Sequence, residues 1–202
     1  MYDQPWSALP LTAIGVKISG DDGPTAIVEI ATVPLINGRL QPRDAYHSIV
    51  KPDRFVPPRP SIPPGLENDF LALGPSLQDI QPELVARLHG RAIVCHDTDR
   101  TWKLLAQHYP AIEPVAVFDT LRLAQAIRPE VQRRSLTALL RWHELTDQAR
   151  QLASGVRPHR ALWDAVGVGL LLPVLIKAWS ATRGAPSAGE LADASSPLAV
   201  CP

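Results

Sequence analysis

Side chains able to do metal or acid–base chemistry lie in three short segments between residues 97 and 164. Asp97 and Asp99 follow one apolar run, Asp119 ends another, and His159 precedes Asp164 by five residues. Carboxylate oxygens are the ligands that hard divalent cations take, and a histidine can act as a general base toward water. Such a set could support metal-assisted hydrolysis.

Each of these residues also fits a simpler structural role. Asp97 and Asp99 fit a loop of helix-capping acids, and Asp119 before Thr-Leu fits an N-cap. His159 follows a proline at the start of a helical pattern. Asp164 would then lie in the first turns, where an acid gains from the helix dipole. The positions favour these structural roles, and the catalytic alternative stays open beside them.

The elements that would position these residues form an α/β pattern. Alternating apolar runs predict strands, and apolar stripes at helical spacing predict helices in the second half. The predicted strands are 11–18, 26–36, 45–50, 91–95 and 115–118, and the predicted helices are 77–88, 101–109 and three that begin near 120, 135 and 159. An antiparallel meander joined to parallel crossovers predicts a mixed five-stranded sheet flanked by helices.

Composition shifts divide the chain into three parts. Residues 1–10 form an N-terminal extension and 11–179 one domain, while 180–202 are rich in Ala, Ser, Gly and Pro and predict a disordered C-terminal tail. The segment Gly20-Asp21-Asp22-Gly23 predicts a turn. Six prolines between 52 and 64 predict an extended surface segment.

Charge, cysteine content and apolar stretches indicate which partners and which cellular compartment to expect. The 20 basic and 20 acidic residues give zero net charge, so any affinity for nucleic acid must come from a local patch. Cys95 and Cys201 are poor candidates for a disulfide. The apolar stretch 161–179 favours a buried helix over a membrane span. Because the first eleven residues lack a signal-peptide pattern, we expect a cytoplasmic protein.

Two residue sets could form a surface for nucleic acid. Eight arginines between 122 and 160 could form a phosphate-binding face, although Glu130, Glu144 and Asp147 favour solvated, balanced helix faces. Of the five tryptophans, those at apolar helix positions are more often core residues than stacking platforms for bases.

Five segments share an order and spacing with a known family. They read I-V-E-I-A at 27–31, I-V-C-H at 93–96, V-F-D-T-L-R-L-A at 117–124, S-L-T-A-L at 135–139 and H-R-A-L-W-D-A at 159–165. Together they resemble the DEDDh (DnaQ-like) 3′–5′ exonucleases, which include the exonuclease domain of proofreading epsilon subunits. The resemblance implies an RNase H-like fold, and a site where four carboxylates hold two divalent cations beside a general-base histidine.

The sequence departs from this family at the positions that matter for metal binding. Gly15 and Lys17 stand where the resemblance places the first-motif Asp and Glu, and Thr101 stands for the second-motif Asp. Only His159 and Asp164 remain of the five. One carboxylate cannot hold two cations, so we expect no bound metal. Restoring the set would need at least Gly15→Asp, Lys17→Glu and Thr101→Asp together.

Lys17 also carries a prediction about geometry. It lies between Val16 and Ile18 on a strand, so its side chain points to the opposite face of the sheet from theirs. That face is the one on which the family resemblance places the metal site. We expect its ammonium to pair with Asp164 in place of metal. A solvated strand lysine is the alternative.

Two functional hypotheses follow. The favoured one is a catalytically degenerate exonuclease-like protein, without a cofactor, that binds nucleic acid (single-stranded DNA or RNA) or a protein partner and no membrane. The other is an active 3′–5′ exonuclease with a rewired carboxylate site made from Asp97, Asp99, Asp119 and Asp164, which would use Mg²⁺ or Mn²⁺.

Overall fold

The sheet is mixed, as the sequence pattern predicts. A computed structural model describes residues 3–19, 25–56 and 65–196. Its strands are β1 (Leu11–Ile18), β2 (Ile27–Ile36), β3 (Arg39–Leu40), β4 (Tyr46–Ile49), β5 (Ala92–Cys95) and β6 (Ala116–Asp119). The order is β3-β2-β1-β5-β6, with β4 also paired to β2. β1 is antiparallel to β2 and parallel to β5, and β5 is parallel to β6.

The sheet has six strands rather than the expected five. Asn37 and Gly38 have positive φ angles and make a tight turn, so the chain pairs back on β2 for two residues as β3. A 3-10 turn at Pro42–Asp44 then interrupts the pairing before β4 resumes it. The predicted third strand, 45–50, corresponds to β4, and β3 is an additional short strand that the sequence pattern did not predict.

Eight helices lie in the described part of the chain. They are α1 (Asn68–Leu71), α2 (Leu77–Leu88), α3 (Trp102–His108), α4 (Thr120–Ile127), α5 (Leu136–Trp142), α6 (Thr146–Leu152), α7 (Ala161–Arg183) and α8 (Ala188–Ser195). A core with α4 to α8 covers one face of the sheet, and a core with α2 and α3 covers the other. α7 lies centrally on the first face, against β1 and β2.

Strand alternation decides which residues of β1 and β2 face α7. Ala13 of β1 and Ala31 of β2 belong to the core on the α7 side, whereas Ile14 and Ile30 belong to the opposite core. Because side chains alternate along a strand, Gly15, Lys17 and Glu29 also face α7. Two polar side chains, Lys17 and Glu29, and one residue without a side chain, Gly15, therefore lie beneath the start of α7.

The predicted disordered tail is wrong for residues up to 196. α7 continues to Arg183, and a capping box formed by Ser187 and Glu190 starts α8. Leu191 of α8 is fully buried, and the Ala188 amide donates to the carbonyl of Gln4 in the N-terminal extension. The apolar side of this short helix therefore has a place in the core. Residues 197–202, the turn around 20–23 and the prolines at 57–64 lie outside the described residues.

The 23-residue helix α7 is long and apolar enough to cross a membrane by length and composition alone. In the structure most of that apolar stretch is buried inside the fold. The packing agrees with the predicted core helix.

Candidate functional site

An ion pair occupies the junction of β1 and α7. The Lys17 ammonium contacts the Asp164 carboxylate, and both side chains are largely buried, at 18% and 21% exposure. The pairing predicted from strand alternation is therefore present. Burial raises the pKa of Asp164, and the Lys17 ammonium opposes that rise. A carboxylate so enclosed depends on its cation to remain charged.

Gly15 brings the backbones of β1 and α7 into direct contact. A Cβ atom placed on Gly15 would lie well under 3.0 Å from the Ala161 carbonyl oxygen and 2.9 Å from the Ala165 amide nitrogen. Only glycine fits such a close approach of two backbones. A carboxylate side chain at this position would require α7 to move away from the sheet.

Glu29 holds the start of α7 onto β2. Its carboxylate is fully buried and accepts from Arg160, at 2.6 and 2.8 Å, and from the Ala161 amide at 2.9 Å. The His47 Nε2 lies 2.6 Å from the same carboxylate. Burial alone would raise the pKa of Glu29, but these hydrogen bonds and the Arg160 charge lower it to about 2. Glu29 thus stays ionised inside the protein.

Sequence reasoning did not assign Glu29 to the site, although a signal was present. A single acid inside the otherwise apolar run I-V-E-I-A is costly unless its partners are specified by the fold. Those partners are 18, 131 and 132 residues away along the chain.

His159 lies just outside α7, not within it as the sequence pattern suggested. The helix begins at Ala161 with Arg160 as its N-cap residue, and His159 has a φ of 69°. A non-glycine residue with such a left-handed backbone is uncommon. The imidazole is exposed and lies 6.0 Å, centroid to centroid, from the Trp163 ring. His159 and Asp164 therefore remain neighbours, with a tryptophan beside the histidine.

Asp119 is used as a structural anchor. Its buried carboxylate accepts from the amides of Asp97, at 3.1 Å, and Thr98, at 2.8 Å, and from the Thr98 hydroxyl. The same carboxylate caps α4 by accepting from the Leu121 amide at 2.8 Å. With these donors its oxygens are already satisfied, so the capping role favoured by the sequence is the observed one.

The other candidate substitutes lie in the same loop, at the ends of β5 and β6. Asp99 is half exposed and paired with Lys103 and Arg122. Asp97 has a φ of 67°, burial raises its pKa, and its carbonyl accepts from the Thr101 hydroxyl at 2.7 Å. Within residues 3–19, 25–56 and 65–196, no three His, Cys, Asp or Glu side chains are grouped as metal ligands would be.

The predicted site residues thus fall into two clusters. Gly15, Lys17, His159 and Asp164 meet where β1 passes under α7, together with Glu29. Asp97, Asp99, Thr101 and Asp119 are held by contacts among the ends of β5 and β6 and the starts of α3 and α4. The first cluster has two carboxylates. Arg160 binds that of Glu29, and Lys17 binds that of Asp164.

A matched pair of substitutions tests the Lys17–Asp164 contact. Lys17→Glu should lower the free energy of unfolding by about 1–3 kcal/mol, because it leaves two largely buried carboxylates together. Asp164→Asn should lower it by a similar amount, because it leaves the Lys17 ammonium largely buried without its carboxylate. Urea unfolding at pH 7 measures both. Lys103→Glu, in the exposed pair with Asp99, is the control and should change little. A Lys17→Glu protein as stable as the wild type would contradict the pairing.

Comparison with known proteins identifies the family of this site. The RNase_T exonuclease family matches residues 13–168, well over half of the 202-residue chain. The chain belongs to the DnaQ-like 3′–5′ exonuclease family. The DNA polymerase III epsilon subunit of Salmonella typhimurium is 32% identical over 147 residues, and that of Escherichia coli 30%. Each match covers 69% of this chain but only 57% of the relative.

Solved exonuclease structures share the fold. Exonuclease X, in complex with 5′ overhanging duplex DNA, superposes with a TM-score of 0.68 at 25% identity, covering 92% of this chain and 99% of that one. The nuclease domain of 3′hExo, a DEDDh family member bound to rAMP, gives 0.60 at 13% identity, covering 91% and 94%. The six-stranded sheet with its helices is therefore the RNase H-like exonuclease fold.

The DnaQ-like family implies two divalent cations, and the residues of this chain do not fit them. Hard cations need several oxygen ligands. Here the backbone of α7 fills the space beside Gly15, an ammonium is bound to Asp164, and the Thr101 hydroxyl donates to a carbonyl. The chain therefore lacks both the oxygen ligands and the space that two divalent cations would need.

Proposed function

We propose that this DnaQ-like chain does not hydrolyse phosphodiester bonds and acts as a binding module for nucleic acid or a protein partner. The observation that carries the proposal is the Lys17–Asp164 pair beneath the start of α7. Two-metal hydrolysis needs anionic oxygens that hold cations on both sides of the scissile phosphate. A lysine bound to the last carboxylate supplies positive charge but no activated water.

The close contact at Gly15 supports the same proposal from a second direction. Replacing Lys17 by a carboxylate would return one ligand, but the neighbouring position on β1 has no room for a side chain. Asp119 is satisfied by backbone amides and cannot turn toward α7 without giving up those bonds. The packing around Gly15 and Asp119 thus supports the proposed loss of metal binding.

The binding part of the proposal draws on the relatives. Exonuclease X was solved with DNA, and the epsilon subunits are components of DNA polymerase III. A protein with this fold and without metal ligands could keep such an association. Because the net charge is zero, binding to nucleic acid would have to use a local positive surface.

Digestion of labelled oligonucleotides tests the loss of hydrolysis. Single-stranded DNA and RNA, labelled at the 5′ end and incubated with Mg²⁺ or Mn²⁺, should keep their full length after hours with the protein in excess. An Asp164→Ala protein purified in parallel serves as the control for contaminating nuclease. Metal-dependent trimming by the wild type that disappears in Asp164→Ala would overturn the proposal. Trimming that also disappears in Asp97→Asn would favour the rewired carboxylate site.

A further inference from the structure

Trp142 is a large aromatic side chain left on the surface. It is the last residue of α5 and is 63% exposed, whereas Trp102 and Trp163 are at most 9% exposed. The sequence pattern had suggested a core position for helical tryptophans, and Trp142 departs from it. A single exposed apolar side chain is common on protein surfaces, so what Trp142 can bind depends on the groups around it.

Two unpaired cations flank this indole. Arg133 and Arg141 are exposed and line one shallow depression together with Trp142. Val131 and Ala138 also line it. Across the described ranges, neither guanidinium has an ion-pair or hydrogen-bond partner. Their charge is therefore available to a ligand.

Other arginines of the same region behave differently. Arg122 pairs with Asp99, Arg150 with Asp147 and Arg160 with Glu29. The balance of charges expected from the sequence holds for those residues and fails around Trp142. The one acid that lines the depression, Glu130, lies 3.9 Å from Arg128. Among the residues that line the depression, Arg133 and Arg141 therefore carry positive charge without a paired acid.

The segment beneath the depression is well supported. The Arg134 guanidinium donates to the carbonyls of Arg128 and Pro129, which ties the loop between α4 and α5 to itself. Trp142 also borders a small apolar cavity that reaches Leu139 and Leu175 in the core. The ring is thus seated on a supported surface and needs little reordering to receive a ligand.

We infer that Trp142, Arg133 and Arg141 form a binding platform for single-stranded nucleic acid, on which an unpaired base stacks on the indole while the arginines contact the adjacent phosphates. Proteins that bind single strands combine aromatic faces with such cations. A duplex hides its base faces, whereas every nucleotide of a single strand offers both an aromatic face and a phosphate. The inference rests on the proposed binding function and adds a surface separate from the Lys17–Asp164 cluster.

Fluorescence anisotropy with the full chain tests the platform. The probes are labelled 12-mers of dT and U, measured in EDTA so that hydrolysis cannot interfere. Trp142→Ala should weaken binding about tenfold or more, and Trp142→Phe should keep most of the affinity. The double variant Arg133→Ala/Arg141→Ala should also weaken binding, and should reduce the slope of log affinity against log salt by roughly 1.4. Arg150→Ala, an exposed arginine outside the depression, is the control and should bind normally.

Additional probes distinguish base stacking on Trp142 from purely electrostatic binding to the arginines. A 12-mer without bases should bind the wild type about as weakly as dT binds Trp142→Ala. A blunt duplex and a poly-glutamate peptide of equal charge should bind more weakly than the single strand.

Three results would overturn the inference: no binding of either 12-mer by the wild type, unchanged binding by the Trp142 and arginine variants, or equal binding of the peptide. Thermal melting checks that the surface variants remain folded. The proposed absence of hydrolysis is judged separately by the digestion assay, so one can fail without the other.

Discussion

Gly15→Ala is expected to lower the free energy of unfolding by about 3 kcal/mol or more. The added methyl group would collide with the Ala161 carbonyl and the Ala165 amide, which are helix backbone and cannot rotate away. Overpacking of a core usually costs about 1–3 kcal/mol, and more where the neighbour cannot relax. Urea unfolding followed by circular dichroism measures the loss.

A second glycine provides the comparison. An added Cβ at Gly155 meets nothing within 4 Å, but the backbone there has a φ of 77°. Gly155→Ala should therefore show only the backbone strain, of roughly 1–2 kcal/mol. If Gly15→Ala were the milder of the two, the contact between β1 and α7 would be looser than described.

The same contact changes what reactivation would require. The sequence suggested that Gly15→Asp, Lys17→Glu and Thr101→Asp together could restore the carboxylate set. In the structure an aspartate at position 15 would have to push α7 off the sheet. We expect the triple variant to be poorly folded and inactive, so the three substitutions are insufficient unless the start of α7 also moves.

Glu29→Gln is expected to be the second large effect, lowering the free energy of unfolding by about 3–5 kcal/mol at pH 7. The substitution leaves Arg160 largely buried beside a neutral amide, and removing one partner of a buried pair is strongly destabilising. It also weakens the hydrogen bond that holds the Ala161 amide at the start of α7. Glu83→Gln, in the exposed pair with Arg87 on α2, is the control and should change stability little.

The pH dependence of stability gives a second readout for Glu29. Its pKa is lowered from 4.5 to about 2 in the folded protein, so the unfolded chain takes up a proton first as the pH falls. The stabilisation is therefore complete above pH 4.5 and is lost between pH 4.5 and 2, by on the order of 3 kcal/mol. Glu29→Gln should have a flatter profile than the wild type over this window. Parallel profiles for the two proteins would mean that Glu29 titrates normally.

Much of the fold follows from local pattern. Apolar alternation places β1, β2, β5 and β6 within one or two residues of their observed bounds, and the turn at Asn37-Gly38 is also apparent in the sequence. The start of α8 was missed although Ser187 and Glu190 have the spacing of a capping box. The sequence pattern predicted disorder for the C-terminal tail because it is rich in small residues. Its helix is instead held by packing against β6 and α4, which the local sequence does not show.

The candidate site also has features that the sequence predicts and features that only the tertiary structure shows. The sequence alone determined the residue types at positions 15, 17, 101, 159 and 164, and from them the expectation that the metal ligands of the family are missing. Strand alternation was enough to aim Lys17 toward Asp164. Only the tertiary structure decided that α7 lies directly on Gly15, that Glu29 binds Arg160, and that Trp142 stays outside the core. Periodicity reports the face on which a residue lies, whereas these contacts join residues that are distant in the chain and depend on how closely the elements pack.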